Sequence, residues 1–400
     1  MKKILIAGGG ASGMAAAISA AAAGASVVLL EAREQTGKKL LRTGSGRCNF
    51  TNEKMNPDCF YGDRSFICDF LKRFSTAECL AFFRELGLLY KERDGYYYPY
   101  SNSAASVLSV LNARMRTLGV DIRLNTPVSS FSLLPRGGFS VRCGKESIDG
   151  DALVISAGSI AGTAGGSDDA ANNMLSLLPL NTGIRIRPYL PALTMLYGNE
   201  GCERVWEGVR CRGSITYREY TECGELQLIA RGISGIPVFQ LSRQVIRTLA
   251  QGAEVSVFLD FMPDFSEEQI RKLLMKRKAL EELLRGWLPR KLIPVILKRA
   301  GLFGDRMVES LKNTEIAAFI RALKKFEYHI TGHGDFRDAQ TVSGGVDPEE
   351  LTRDFESVRN PGLYFTGETV DIDGICGGYN LHFAFGSGIL AGASAAKTDL

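Results

Sequence analysis

Four hundred residues exceed one ordinary domain, so the chain is expected to fold as two or three, with ample length to bury a core. Hydrophobic residues make up 45% and charged residues 23%, a globular balance, and a net charge of +4 is too small to imply nucleic acid by itself. Three histidines argue against a multi-histidine metal centre, and nine cysteines without paired metal-type spacing fit a reducing cytoplasm; past the N-terminal stretch, no run of about 18 residues is apolar enough to span a membrane.

The first elements carry the strongest signal. Lys3–Ala7 reads as a buried strand, Gly8-Gly9-Gly10-Ala11-Ser12-Gly13 as a tight turn, the alanine-rich run after it as a helix, and Ala25–Leu30 as a second strand ending at Glu31. In such a unit Gly8 permits the turn, Gly10 lets a pyrophosphate approach the backbone, and Gly13 lets the helix lie close to the sheet. Glu31 stands where a carboxylate accepts hydrogen bonds from the ribose hydroxyls. The same residues also match the outline of a secretion signal, with Lys2 and Lys3 as its basic start and Ala21-Ala22-Ala23 as its cleavage site. Glycines at turn positions and a following strand that would lose its partner favour mature protein beginning at or near Met1.

Next comes Gly37 to Asn52, rich in glycine and polar residues and carrying Lys38, Lys39, Arg42 and Arg47, as suits a loop around an anionic ligand. Residues 64 to 86 read as helical, with Ser75 and Glu78 as a capping box and Gly87 as the stop. Arg93-Asp94-Gly95-Tyr96 reads as a hairpin turn. The cluster Tyr96-Tyr97-Tyr98-Pro99-Tyr100 either lines an aromatic pocket or forms a half-buried strand face, and strand preference favours the second. A helix from about Ser103 to Leu118 precedes apolar runs at 120–124, 128–133, 138–143 and 153–158, which look like strands of a sheet covered on both faces. The glycine-rich segment Gly158 to Asp169 either passes beside a ligand or simply connects.

Composition shifts near Pro188. Short alternating segments at 214–217, 226–229 and 255–259 indicate an antiparallel sheet or barrel, and 264–325 turns to helical periodicity, opened by Ser266 and broken by Pro289 and Pro294. Its many basic residues are interspersed with acids, which favours a solvated helix face over a nucleic-acid surface. Pro361 to Glu368 then reads as a strand running into a glycine-acid turn, and Gly377-Gly378-Tyr379-Asn380 opens a small-residue helix to about Ala396. Two such strand, turn and helix units at opposite ends of the chain point to one fold closed from both, with 190 to about 335 inserted between them.

Together, GGGASG, Thr43-Gly44-Ser45-Gly46-Arg47-Cys48-Asn49-Phe50-Thr51-Asn52, Gly232-Ile233-Ser234-Gly235 and the closing segment Thr366 to Leu381 resemble the BaiN/YhiN-like, aminoacetone-oxidase-like flavoproteins. The resemblance implies an α/β fold: a two-dinucleotide-binding, Rossmann-like FAD domain from 1–189 and 336–400, a β-barrel-like inserted domain from 190–262 and 326–335, and a helical insertion at 263–325. It implies FAD as cofactor, with Gly8, Gly10, Ala11, Ser12 and Gly13 at the pyrophosphate and Glu31 at the adenosine ribose. Lys39, Gly46, Arg47, Cys48, Asn49 and Gly158 are expected to line the cofactor. Gly367, Glu368 and Asp371 are expected near the ribityl phosphate, and Gly377, Gly378, Tyr379, Asn380 and Leu381 near the flavin ring.

The N-terminus of the last helix would stabilise charge on the reduced flavin, with Tyr379 and His382 as candidate proton donors. The family commonly carries Gln in place of His382, and an Arg and Phe-Pro where this chain has Tyr96-Tyr97-Tyr98-Pro99. The leading functional expectation is NAD(P)H-driven reduction of a conjugated double bond in a 3-oxo bile acid or steroid-like small molecule. The alternatives are an aminoacetone-type amine oxidase, which the lack of a second GxGxxG mildly favours, and a non-catalytic or RNA-modifying flavoprotein. No nucleic-acid partner, membrane span or metal is expected, and the location expected is cytoplasmic.

Overall fold

The computed structural model describes residues 1–162, 182–275 and 278–397. The chain divides into two units: Met1–Tyr189 with Thr341–Leu400, and Leu190–Gln340. The part of the Gly158–Asp169 segment beyond Gly162 lies outside the described residues.

The first unit is built on a five-stranded sheet in the order Leu363–Phe365, Ala152–Ile155, Lys3–Ala7, Ser26–Leu30, Asp121–Arg123, every neighbouring pair parallel. Ala152–Ile155 and Leu363–Phe365 are buried along their whole length, as unbroken apolar runs in a sheet covered on both faces should be. The segments at 128–133 and 138–143 do not join this sheet as expected. Ser130–Leu133, Phe139–Cys143 and Glu146–Gly150 form a separate antiparallel sheet. Their side chains alternate, with Phe131, Phe139 and Val141 buried and Ser130, Ser132 and Arg142 exposed, which is the pattern of a sheet with one wet face.

The 64–86 stretch is two helices, Arg64–Arg73 capped by Asp63 and Thr76–Glu85 opened by the Ser75/Glu78 capping box. Asp94 and Gly95, both at positive φ, make the two-residue turn between Tyr90–Arg93 and Tyr96–Pro99.

The first helix, Ala11–Ala22, packs against the last, Tyr379–Ala396. The contact is backbone-close because its residues are small. A methyl group on Gly388 would stand 2.2 Å from the Ser12 carbonyl oxygen, and one on Gly392 would stand 2.3 Å from that of Ala16. Ser19 Oγ donates to the Ile389 carbonyl at 2.8 Å, joining residues 370 positions apart.

The second unit holds a closed six-stranded antiparallel barrel, in the order Leu196–Gly198, Gly232–Ser234, Tyr220–Ile229, Val209–Tyr217, Val255–Asp260, Phe326–His333. Alternating Val255, Val257 and Leu259 point into its core with Trp206 and Tyr328. The short strand Gly232–Ser234 requires glycine at its start and just after its end, since a methyl on Gly232 would meet the Leu196 carbonyl oxygen at 2.1 Å and one on Gly235 that of Glu225 at 2.3 Å. The 190–260 stretch is not all sheet. Ile236–Ala250 is a helix with one buried face, started by Pro237. The helical stretch contains Glu267–Leu273, Leu280–Leu284, Ile293–Ala300 and Asn313–Lys324, and Pro294 starts its helix rather than breaking one.

The helix contact gives a direct test. Gly392→Val should destabilise the protein by about 1–3 kcal/mol or more through overpacking, read as a lowered urea midpoint, while Lys397→Ala, at the exposed C-terminal cap of the same helix, should leave the midpoint nearly unchanged.

Candidate functional site

In the glycine turn each glycine has a separate geometric reason. Gly8 has φ +111°, and a methyl there would collide with the Ser156 carbonyl oxygen at 2.5 Å. Gly13 presses the helix onto the turn, 1.9 Å from the Gly8 carbonyl oxygen by the same measure, whereas a methyl on Gly10 meets nothing within 4 Å. Gly158, at φ +73°, likewise has nothing within 4 Å among the described residues. Glu31 faces the turn: its carboxylate accepts the Gly9 N–H at 2.7 Å and the Arg33 N–H at 2.9 Å. Each oxygen keeps a lone pair to offer.

The closing segment arrives from the other end of the chain. Gly367 lies against Ser12, where a methyl would stand 2.8 Å from its hydroxyl, and its N–H is bound by Ser387 Oγ at 2.9 Å. Ser156 and Thr366 hydroxyls pair at 2.7 Å beneath the turn. Glu368 takes Lys39 Nζ and Ser159 Oγ, both at 2.6 Å, tying the 37–52 loop to the closing segment. Asp371 is buried and spoken for, by the Gly344 N–H at 2.7 Å and Arg187 at 3.0 Å, so its role here is to hold backbone. Nothing local marks Arg187 out, because its two carboxylate partners, Asp347 and Asp371, are distant in sequence.

Within the 37–52 loop, Leu40–Gly46 is a kinked 3₁₀ segment in which Gly44 and Ser45 are left-handed, as are Gly46 and Cys48 beyond the kink. Arg42 donates to the Gly162 carbonyl at 2.8 Å, and the Arg47 side chain stays exposed. Cys48 is fully buried, and burial pushes its thiol up to about 12, which leaves it no thiolate reactivity. Asn49 Oδ1 is a buried acceptor with no partner among the described residues, and it lies beside Gly378.

Gly378 caps the last helix, and a methyl on it would meet both Asn49 Oδ1 and the Thr51 carbonyl oxygen within 3 Å. Asn52 Nδ2 donates to the Gly377 carbonyl at 2.9 Å. The Asn380 amide is used at both ends by the Gly374 backbone, at 2.8 Å each. The first-turn N–H groups of Tyr379, Asn380 and Leu381 have no acceptor within their own helix.

Neither expected proton donor presents a free acid. Tyr379 is buried, its phenol donates to the Lys54 carbonyl at 3.2 Å, and burial, aided by the Cys59 thiol, pushes its pKa up. His382 is fully buried between Thr51 Oγ1, 2.8 Å from Nδ1, and the Phe74 carbonyl, 3.0 Å from Nε2. A carbonyl only accepts, so Nε2 carries the proton and Nδ1 accepts from Thr51. Burial holds this neutral ring at a pKa of about 4. Thr51 and Asn52, quoted in the sequence motif without a role, are thus the fasteners of the helix start.

An extended dinucleotide fits these residues: open space at Gly10, a carboxylate with spare lone pairs at Glu31, an orphaned acceptor at Asn49, and a helix N-terminus. Among the described residues no helix is long and apolar enough to cross a membrane.

A profile described as HI0933-like protein Rossmann domain matches residues 2–394. A protein named 3-dehydro-bile acid Δ(4,6)-reductase, from Clostridium scindens, is 38% identical over 93% of both chains. A ribosomal RNA dihydrouridine synthase of Escherichia coli is 27% identical over 90% of both. Among solved structures, a 3-ketosteroid-Δ4-(5α)-dehydrogenase of Rhodococcus jostii RHA1 shares the fold at TM-score 0.52 and 15% identity, covering 99% of this chain and 97% of its own.

The buried imidazole sets a pH dependence. The unfolded chain takes up its histidine proton as pH falls through about 6.5, whereas the folded ring resists until about 4. Stability is therefore whole above pH 6.5 and falls toward pH 4 by roughly 3 kcal/mol from this group, at ~1.4 kcal/mol per unit. His382→Gln, which donates and accepts without titrating, should flatten that part of the slope in urea titrations at each pH.

Proposed function

Because the chain belongs to the HI0933-like Rossmann family and is an FAD-dependent oxidoreductase, we propose that it uses NAD(P)H to saturate a double bond conjugated to the carbonyl of a 3-oxo bile acid or similar steroid acid. The observation that carries this is the 38% identity, over 93% of both chains, to a bile acid Δ(4,6)-reductase. A bound flavin supplies the two-electron step, and the protein supplies position and electrostatics. The Gly8–Gly13 turn and the N-terminus of its helix hold the pyrophosphate, and Glu31 takes the ribose hydroxyls. Asn49 and the N–H groups at Tyr379–Leu381 would hold the ring, where a helix N-terminus favours negative charge.

The second reading rests on the relative that acts on ribosomal RNA. Both substrates share one reaction class, since the 5,6 double bond of uridine is also conjugated to a carbonyl. Residues 263–325 carry fifteen Lys and Arg against eight Asp and Glu. That excess suits a phosphate backbone.

Mixing FAD-loaded protein anaerobically with NADH or NADPH should bleach the flavin band at roughly 450 nm, and a 3-oxo-Δ4 steroid acid should then restore it. Recovery of colour with an unmodified ribosomal RNA transcript, but not with the steroid acid, would move the assignment to RNA. Glu31→Gln should weaken FAD binding by about tenfold, the order expected from losing charge-assisted bonds, measured by equilibrium dialysis.

A further inference from the structure

Strand Tyr96–Pro99 is the middle strand of a three-stranded antiparallel sheet, between Thr51–Asn52 and Tyr90–Arg93, so successive side chains alternate between two faces. Tyr97 takes the inner face, meeting Tyr90 edge-on at 6.0 Å, and Tyr90 in turn meets the buried Phe50 at 6.2 Å. Tyr96 and Tyr98 take the other face, toward the glycine loops of the candidate site. A methyl on Gly377 would stand 3.2 Å from the edge of the Tyr96 ring, and one on Gly44 would stand 4.0 Å from that of Tyr98.

Both side chains are half-buried, and neither phenol hydrogen-bonds to any described residue. This separates them from the buried Tyr217, Tyr328 and Tyr379 and the half-buried Tyr189, whose phenols each have a partner. Fully buried phenols find a partner, whereas these two oxygens are not among the buried polar atoms and stay open to water or a ligand. Burial, with Tyr98, Cys376 and Asp94 adding to it, raises the Tyr96 pKa, so its proton stays in place to be donated.

Resting on the conjugate-reduction reading above, we propose that Tyr96 donates a hydrogen bond to the substrate carbonyl and that the Tyr98 ring forms the apolar wall beside it. When hydride, supplied by the nicotinamide through the flavin, bonds to the β-carbon, the double-bond electron pair shifts and charge gathers on the carbonyl oxygen. The Tyr96 phenol stabilises that charge without giving up its proton. Water then delivers the proton that forms the new C–H bond at the α-carbon, and the carbonyl is restored. The same donor serves any acceptor in which the double bond is conjugated to a carbonyl, which makes the pair a determinant of reaction class.

Stopped-flow measurements on FAD-loaded protein test this, with the flavin first reduced by NAD(P)H and then reoxidised anaerobically by a 3-oxo-Δ4 steroid acid or by 2-cyclohexenone. Tyr96→Phe keeps the ring and should slow reoxidation by about 10²-fold, the effect of losing one oxyanion donor, with flavin reduction unchanged. Tyr98→Ala should raise the KM for the steroid acid about tenfold, and Tyr100→Phe, exposed just past the strand, should change neither half-reaction. Reoxidation of Tyr96→Phe at the wild-type rate, or equal slowing of both half-reactions, overturns the proposal while the conjugate-reduction reading stands. Failure of both acceptors to reoxidise the wild-type protein overturns both.

Discussion

The structure of the first unit depends on one close contact between two helices that the chain places at opposite ends. Gly388 and Gly392 lie directly on the backbone of Ser12 and Ala16, a spacing that no larger residue permits. A glycine inside a helix costs roughly 0.5–1 kcal/mol relative to alanine, and here that loss is offset by packing at backbone distance. The contact fixes where Gly367 meets Ser12, and so sets the closing segment beside the glycine turn. Glu31, Lys39, Glu368 and the start of the last helix take their places around that junction.

Much of this was legible in the sequence, for reasons that differ by element. The Gly8–Gly13 turn, the Ser75 capping box and the Asp94-Gly95 hairpin are local: their geometry follows from a few adjacent residues. The apolar runs Ala152–Ile155 and Leu363–Phe365 announced buried parallel strands by length and continuity. The segments at 128–143 are apolar enough for the central sheet, but their alternation assigns them to a separate one with a wet face. The helix Ile236–Ala250 was hidden among strand-like neighbours. Asp371 and His382 were read by type and position, whereas their roles are set by Arg187, Gly344, Thr51 and Phe74, partners that only the folded chain assembles.

Chemically, the site is notable for where its acids are not. His382 and Tyr379 are consumed in holding backbone and side chains, and Cys48 is a buried thiol. What the site has left to offer is mostly donors, helix N–H groups and two phenols, beside one buried acceptor, Asn49 Oδ1. Donors of this kind stabilise negative charge as it develops and need not exchange protons to do so. Such a site suits hydride addition to an electron-poor double bond better than it suits acid–base chemistry at the substrate.

The bond from Ser19 to Ile389, 370 positions apart, also has a temporal meaning. At ribosomal speeds of about 5–20 residues per second, the first helix waits roughly 20–70 s for its partner to be synthesised. The barrel unit, Leu190–Gln340, is complete about 2–10 s before that at the same speeds. The nascent chain thus carries a finished barrel and a first helix that still lacks its partner, and that helix is packed only once the last one has emerged.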